Sequence, residues 1–323
     1  MSRQQRSQDK ESKTIGTAME NFFHLPIFTL TGGREESRTY FVSCLMTELT
    51  ARSLTAVFLR RGDGSNLCTL ALLARRYDLV IVNRGIDAPE QPITLSKFSG
   101  SDVGEISWSL GGEEGWPRFV ERLLGKLTEY GRCTPVWGCV LIGGRSSRMG
   151  SPKHLIKDGR GKTWLENVIE TLRPLVDGIA VSGMGQLPEA VAETPRLPDI
   201  PGVVGPLTGI VAAGRWQPQV SWLLVACDMP HVSAEAVNWL LADRRPGCWG
   251  RVPKFTDNDR LEPLFAWYDF RSIHLFEEQL YTGNMRIGEA AGDIRIDHPI
   301  IPDSLRRSWK NINTPEELQV VEP

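Results

Sequence analysis

The sequence predicts an α/β protein built as two domains in tandem. Three observations carry that prediction. The chain has 323 residues, the length of two ordinary domains. Continuous apolar runs, Leu79–Val82, Val136–Ile142 (broken by Gly138) and Trp222–Ala226, have the unbroken hydrophobicity of parallel strands covered on both faces. These runs alternate with stretches of helical composition, and two strand candidates lead straight into paired glycines, Gly32-Gly33 and Gly143-Gly144.

Residues 1–24 read as a disordered tail, because Met1 to Lys13 is polar and charged and lacks an apolar signal core. Residues 25–133 form the first domain. Pro26–Thr31 reads as a strand, Ser37–Arg52 has helical composition, and Leu54–Leu59 reads as a second strand. Asn66–Arg76 is a helix candidate, Tyr77–Asn83 a third strand and Trp116–Tyr130 a closing helix. Residues 134–323 form the second domain. Its order is strand Val136–Ile142, helix Thr163–Leu172, strand Gly178–Ser182, helix Pro206–Gly214, strand Trp222–Ala226 and helix Ser233–Ala242, with Ser233 as the N-cap. Leu261–Tyr268 and Arg286–Ala291 follow. No fixed-period repeat, low-complexity tract or coiled-coil pattern interrupts this order.

Composition narrows the class. A hydrophobic share of 41% and a charged share of 24% describe a globular protein. The formal net charge of -2 gives no global field for nucleic acid, and no apolar stretch is long enough to span a bilayer. The six cysteines are widely spaced with no Cys-x-x-Cys pair, which argues against a zinc or disulfide framework and fits a reducing cytoplasm. The five histidines show no ligand spacing, so none is assigned to metal. Most of the 10 tryptophans are expected in the core or at domain contacts.

The chemistry concentrates after Val136. Gly143-Gly144 is followed by Arg145, Arg148 and Lys153. A glycine-lined turn with exposed N–H groups and convergent cations suits a triphosphate. The pattern is neither Gly-x-x-x-x-Gly-Lys-Ser/Thr nor Gly-x-Gly-x-x-Gly. In an open α/β sheet the site lies at the carboxyl ends of the strands. Asp228 stands at such an end and is a natural Mg²⁺ ligand beside a triphosphate; its bland alternative is an Asx turn or N-cap. Asp199, in Pro198-Asp199-Ile200-Pro201-Gly202, is either a second site carboxylate or an ordinary loop residue. Gly205-Pro206-Leu207-Thr208-Gly209 opens a helix with N–H groups suited to a base or a phosphate, or simply to helix initiation.

Four segments together resemble the molybdenum cofactor guanylyltransferase (MobA) family: Leu141–Gly150 with Lys153, Gly205–Gly209, Cys227–Pro230 and Asn311–Leu318, in the family's order. The resemblance covers about Val136 to Leu318 and implies a Rossmann-like nucleotidyltransferase domain. It implies that Leu141, Ile142 and Gly143 line the nucleotide, that Gly144, Arg148 and Lys153 hold phosphates, that Asp199 contacts the nucleotide and that Asp228 binds Mg²⁺. Arg148, Lys153 and Asp228 are then the catalytic groups. Ile142 replaces the family's Ala, and Ser182 replaces its Asn at a strand end. A hydroxyl offers fewer hydrogen bonds than a carboxamide for reading guanine.

In the first domain, Gly32 to Thr39 has the spacing of a P-loop, with Ser37 for the second glycine and Arg38 for the lysine. It resembles the small P-loop partner (MobB) that is sometimes fused to the guanylyltransferase. A Ser Cβ hinders the backbone curl, Arg is no substitute for the slender lysine, and Glu35-Glu36 add negative charge where anions should bind. The expected role is a P-loop-like fold kept as an adaptor that binds no nucleotide. The function expected of the whole is transfer of GMP from GTP to molybdopterin, with Mg²⁺ as cofactor and molybdoenzyme apo-proteins or their chaperones as recipients of the product. Nucleic acid and membrane are not expected partners. The alternatives are cytidylyl transfer to the same cofactor and a non-catalytic carrier.

Overall fold

The computed structural model describes residues 25–60, 66–83, 92–97, 106–109, 115–143, 152–203, 205–257 and 259–312. The chain divides into two compact units, Met1–Cys133 with Arg245–Gly247, and Thr134–Arg244 with Cys248–Pro323.

The first unit runs β1 (Ile27–Gly32), α1 (Glu35–Thr50), β2 (Ala56–Leu59), α2 (Leu67–Ala74), β3 (Leu79–Asn83), β4 (Pro92–Lys97), β5 (Ile106–Ser109) and α3 (Trp116–Cys133). Its sheet has the order β2-β3-β1-β4-β5. The first four strands are parallel and β5 is antiparallel to β4. Strands β4 and β5 carry no clear signal in the sequence, and β4 even opens on Pro92, a residue tolerated only where a strand begins or runs along an edge. Helix α1 starts two residues earlier than composition suggests. Glu35 and Glu36 form its first turn, where carboxylates complement the positive end of the helix dipole. Phe41, Leu45 and Leu49 of α1 and Phe119, Leu123 and Leu127 of α3 close one core with Phe28, Leu30 and Ile81 of the sheet.

The second unit runs β6 (Val136–Leu141), α4 (Trp164–Leu172), β7 (Gly178–Ser182), β8 (Arg196–Leu197), α5 (Pro206–Trp216), β9 (Ser221–Ala226), α6 (Ala234–Leu241), β10 (Gly250–Arg251), β11 (Phe265–Tyr268), α7 (Ile273–Tyr281), α8 (Ile287–Ala291) and β12 (Ile296–Asp297). The sheet order is β12-β10-β11-β9-β6-β7-β8. β6 pairs in parallel with β7 on one side and β9 on the other, while β11 is antiparallel to both β9 and β10. The expected α/β sheet is thus mixed, with a Rossmann-like half at β8-β7-β6-β9.

Alternation along β9 explains the layers. Leu223 and Val225 face one side, with Leu165, Ile169 and Leu172 of α4 and Val237 and Leu240 of α6. Trp222 and Leu224 face the other, with Leu207, Ile210 and Val211 of α5 and Ile273 and Phe276 of α7. Each such side chain contributes about 1.5–3 kcal/mol by leaving water. All six residues of β9 are buried, as its unbroken apolar run predicts. Local signals also hold. Thr163 and Glu166 form a reciprocal capping box on α4, and the Ser233 hydroxyl accepts from Ala236 N at 3.3 Å to cap α6. No helix among the described residues is long and apolar enough to cross a membrane.

Candidate functional site

The strand order turns at β6, which continues through β7 to β8 on one side and has β9 on the other. A crevice at the carboxyl ends of such strands is where open α/β sheets bind ligands. Here it is a cavity of about 530 Å³. Seven of the nine residues expected from the sequence line it: Leu141, Ile142, Gly143, Lys153, Ser182, Asp199 and Asp228. The other two, Gly144 and Arg148, lie outside the described residues.

The floor is the end of β6, stitched to both neighbours. Ile142 N donates to Ser182 O at 2.8 Å, and Cys227 N donates to Leu141 O at 3.0 Å. Gly143 then turns away with φ +123°, a conformation that side chains rarely adopt, and among the described residues nothing lies within 4 Å of where a Cβ would stand. The chain returns at a 3-10 turn, Lys153–Leu155. Lys153 Nζ reaches Asp228 Oδ2 at 2.9 Å, with the two side chains 18% and 21% exposed. Asp228 lies in the turn that follows β9. Its carboxylate faces the cavity lysine, and Ser233 rather than Asp228 caps the next helix. Burial, and next the charge of Asp228, push the Cys227 thiol up to about 12, so this cavity-lining sulfur stays protonated and is no nucleophile.

The opposite wall is built by α5. Gly205 at φ +103° and Pro206 start the helix with no side-chain cap. A Cβ on Gly209 would fall 2.5 Å from Leu141 Cδ2 and 3.1 Å from Ser182 Oγ, so glycine here lets the helix press on the ends of β6 and β7. Ser182 is 2% exposed, and its hydroxyl has no hydrogen-bond partner among the described residues. Asp199 lies two residues beyond β8. Ile200 N donates to Thr208 Oγ1 at 2.5 Å, which ties the Asp199 loop to the first turn of α5.

Asn311 is the functional candidate that residue-by-residue reading left without a role. Trp309 stacks on Phe265 at 4.5 Å and its Nε1 donates to Phe265 O at 2.9 Å. The following residues are thereby delivered to the site, where Ile312 N donates to Asp228 O at 2.9 Å and Asn311 lines the cavity. The buried Asn311 Oδ1 has no partner among the described residues. The signal was present, since Asn311 opens the Asn-x-Asn-Thr-Pro segment, whose remainder from 313 onward is outside the described residues.

The donor set fits Mg²⁺ in one manner only. Among the described residues no group of three or more His, Cys, Asp or Glu could cage an ion. Asp228 offers one carboxylate at a cavity wall, and Mg²⁺ is commonly held by one or two carboxylates, waters and substrate phosphates.

Residues 138–289 match the MobA-like NTP transferase domain. The molybdenum cofactor guanylyltransferase of Sinorhizobium fredii is 33% identical over 221 residues, covering 62% of this chain and 95% of that protein. The chain belongs to the molybdenum cofactor guanylyltransferase family. The Rhizobium meliloti member is 35% identical over 199 residues, covering 57% of this chain and 88% of its own length. Among solved structures, molybdopterin-guanine dinucleotide biosynthesis protein A of Archaeoglobus fulgidus is 28% identical, with a TM-score of 0.46 over 58% of this chain and 96% of that one.

Proposed function

We propose that the second unit transfers GMP from GTP to the terminal phosphate of molybdopterin and releases pyrophosphate. The observation that carries this reading is the convergence of Lys153 and Asp228 with the α5 wall on one cavity at the switch point of the sheet, in a chain of the guanylyltransferase family. An acceptor phosphate oxygen attacks the α-phosphorus in line. The new P–O bond forms as the bond to the β-phosphate oxygen breaks, and pyrophosphate leaves. No protein nucleophile is needed, in keeping with a protonated Cys227.

Lys153, with Arg148 and the Gly143-Gly144 backbone, neutralises phosphate charge and fixes the triphosphate. Asp228 would hold Mg²⁺, which supplies charge neutralisation at the phosphates when bound. Leu141 and Ile142 give the nucleotide an apolar floor. Ser182 and Asp199 lie toward β7 and β8, the side away from the Lys153–Asp228 pair, and this is the base-side wall. A serine there keeps cytidylyl transfer as the competing reading, because a hydroxyl can serve either base.

The first unit, residues 25–133, we read as a P-loop-like fold that acts as an adaptor and passes the finished cofactor to a molybdoenzyme apo-protein or its chaperone. Its glycine turn is filled from within: Arg38 Nη1 donates to the carbonyls of Gly32 and Gly33, at 3.2 Å each. The cysteines are all free, which suits a reducing cytoplasm. The test of the main reading is direct. The full chain, incubated with Mg²⁺, molybdopterin and each nucleoside triphosphate, should release pyrophosphate with GTP well ahead of CTP. Equal rates with CTP would overturn the choice of guanine.

A further inference from the structure

Two consecutive residues of the 3-10 turn reach to opposite sides of the switch point. Lys153 points to Asp228, beyond β9. His154 points the other way: its Nε2 donates to the carbonyl of Gln186, beyond β7, at 3.0 Å. A carbonyl only accepts, so this bond places the proton on Nε2. His154 as a whole is 3% exposed. Burial holds its pKa below the usual histidine value, and the nearby Arg196 adds to that against the pull of the Gln186 bond, so the ring stays neutral.

The loop that receives His154 is itself pinned. Arg196 donates through Nε and Nη2 to Gly183 O at 3.2 and 3.0 Å. A Cβ at Gly183 would fall 1.7 Å from Ile142 O, and one at Gly185 would fall 2.7 Å from His154 Cε1, so only bare backbone fits at both points. The turn carrying Lys153 is by contrast a single 3-10 turn, closed by Leu155 N to Pro152 O and Ile156 N to Lys153 O at 3.0 and 3.1 Å.

We propose that His154 is a positioning residue for Lys153: by tethering the turn to the fixed loop beyond β7, it holds the ammonium against the phosphate wall. This rests on the guanylyl-transfer reading. A lysine displaced by about an ångström still attracts a triphosphate but no longer meets the charge that develops in the transition state, so turnover suffers before binding does.

The test uses the full chain with His154→Leu, which keeps apolar volume and removes the donor, and His154→Gln, which restores an N–H at similar reach. His154→Leu should lower kcat about tenfold with KM for GTP changed by less than about twofold. His154→Gln should recover most of that loss. Added to Lys153→Ala, His154→Leu should cost nothing further, because the two residues act as one unit. Amide exchange at Leu155 and Ile156 reads the anchor without turnover and should quicken in His154→Leu and return in His154→Gln. Multiplying effects in the double variant, unchanged exchange, or a failed rescue in His154→Gln would each overturn the proposal. A wild-type chain that transfers no GMP, with exchange responding as expected, would instead sink the catalytic reading and leave the anchor standing.

Discussion

The chain contains two glycine turns at the end of a central parallel strand, and they do opposite things. After β1, a Cβ on Gly32 would lie 2.3 Å from the carbonyl oxygen of Leu95, so that glycine admits the neighbouring strand β4. Arg38 then folds back on the turn and occupies its carbonyls. After β6, no described atom lies within 4 Å of a Cβ on Gly143, and Gly143 and Lys153 both line a cavity of about 530 Å³. A glycine after a buried strand therefore has two meanings, packing and access. What separates them is where the following cation goes, back onto its own loop or out to a carboxylate on another strand.

Removing the two cations in turn separates the two glycine turns most strongly. Lys153→Ala should lose about 2–4 kcal/mol of transition-state stabilisation, the usual cost of one positioned electrostatic donor. Asp228→Ala should abolish transfer and the Mg²⁺-dependent tightening of GTP with the fold intact. Arg38→Ala should leave pyrophosphate release unchanged. A loss in Arg38→Ala matching that in Lys153→Ala would show that the first turn also handles phosphate.

Nucleotide binding gives the next largest effect. Saturating GTP with Mg²⁺, at 100 times its Kd, should stabilise the chain by about 2.7 kcal/mol, seen as a raised Tm, and CTP should raise it less. Titration calorimetry should return one GTP per chain. A second GTP, lost in Arg38→Ala, would restore the first turn as a working nucleotide site.

Most of the fold was legible because its signals are local. The all-buried β9, the span Gly178–Ser182 of β7 and the Ser233 cap follow from hydrophobic runs and capping chemistry, while Thr163, read as the first residue of its helix, is its cap. What stayed hidden is defined by partners distant in sequence. β10 and β12 are two residues each and exist only through pairing with one another and with β11. The strand-end residues Gly143 and Asp228 could be read from position. Asn311 was marked only by its motif and Thr208 only by a helix start; what each does depends on distant partners, Trp309 docking on Phe265 for the one and a bond to Ile200 for the other.

Gly209→Ala tests the α5 wall. The added methyl meets Leu141 and Ser182, so it should destabilise the second unit by about 1–3 kcal/mol, as overpacking does, and raise KM for GTP more than it lowers kcat. Gly143→Ala meets no atom of the described residues and should cost the strain of its backbone, about 1–3 kcal/mol. A Gly209→Ala chain with wild-type KM would mean the ligand does not use the α5 wall.

The smallest effect separates the two units by pH. The described part of the first unit contains no histidine. The second has two whose pKa values are held low: His154 by burial and then by the charge of Arg196, and His231 by burial, Arg307 and Lys310. A group whose folded pKa lies below its unfolded value binds more protons when unfolded, so stability rises with pH. For these histidines the stabilisation is fully present above the unfolded pKa of about 6.5 and is lost as pH falls below it toward the folded values. Amide exchange, corrected for its intrinsic pH dependence, should therefore speed up in β6 and β9 between pH 7.5 and 5.5 while β1 and β3 hold. His154→Gln should remove the His154 share of that change and leave the His231 share. Equal acid sensitivity in β1 and β3 would show that the loss of stability arises from groups common to both units rather than from these two rings.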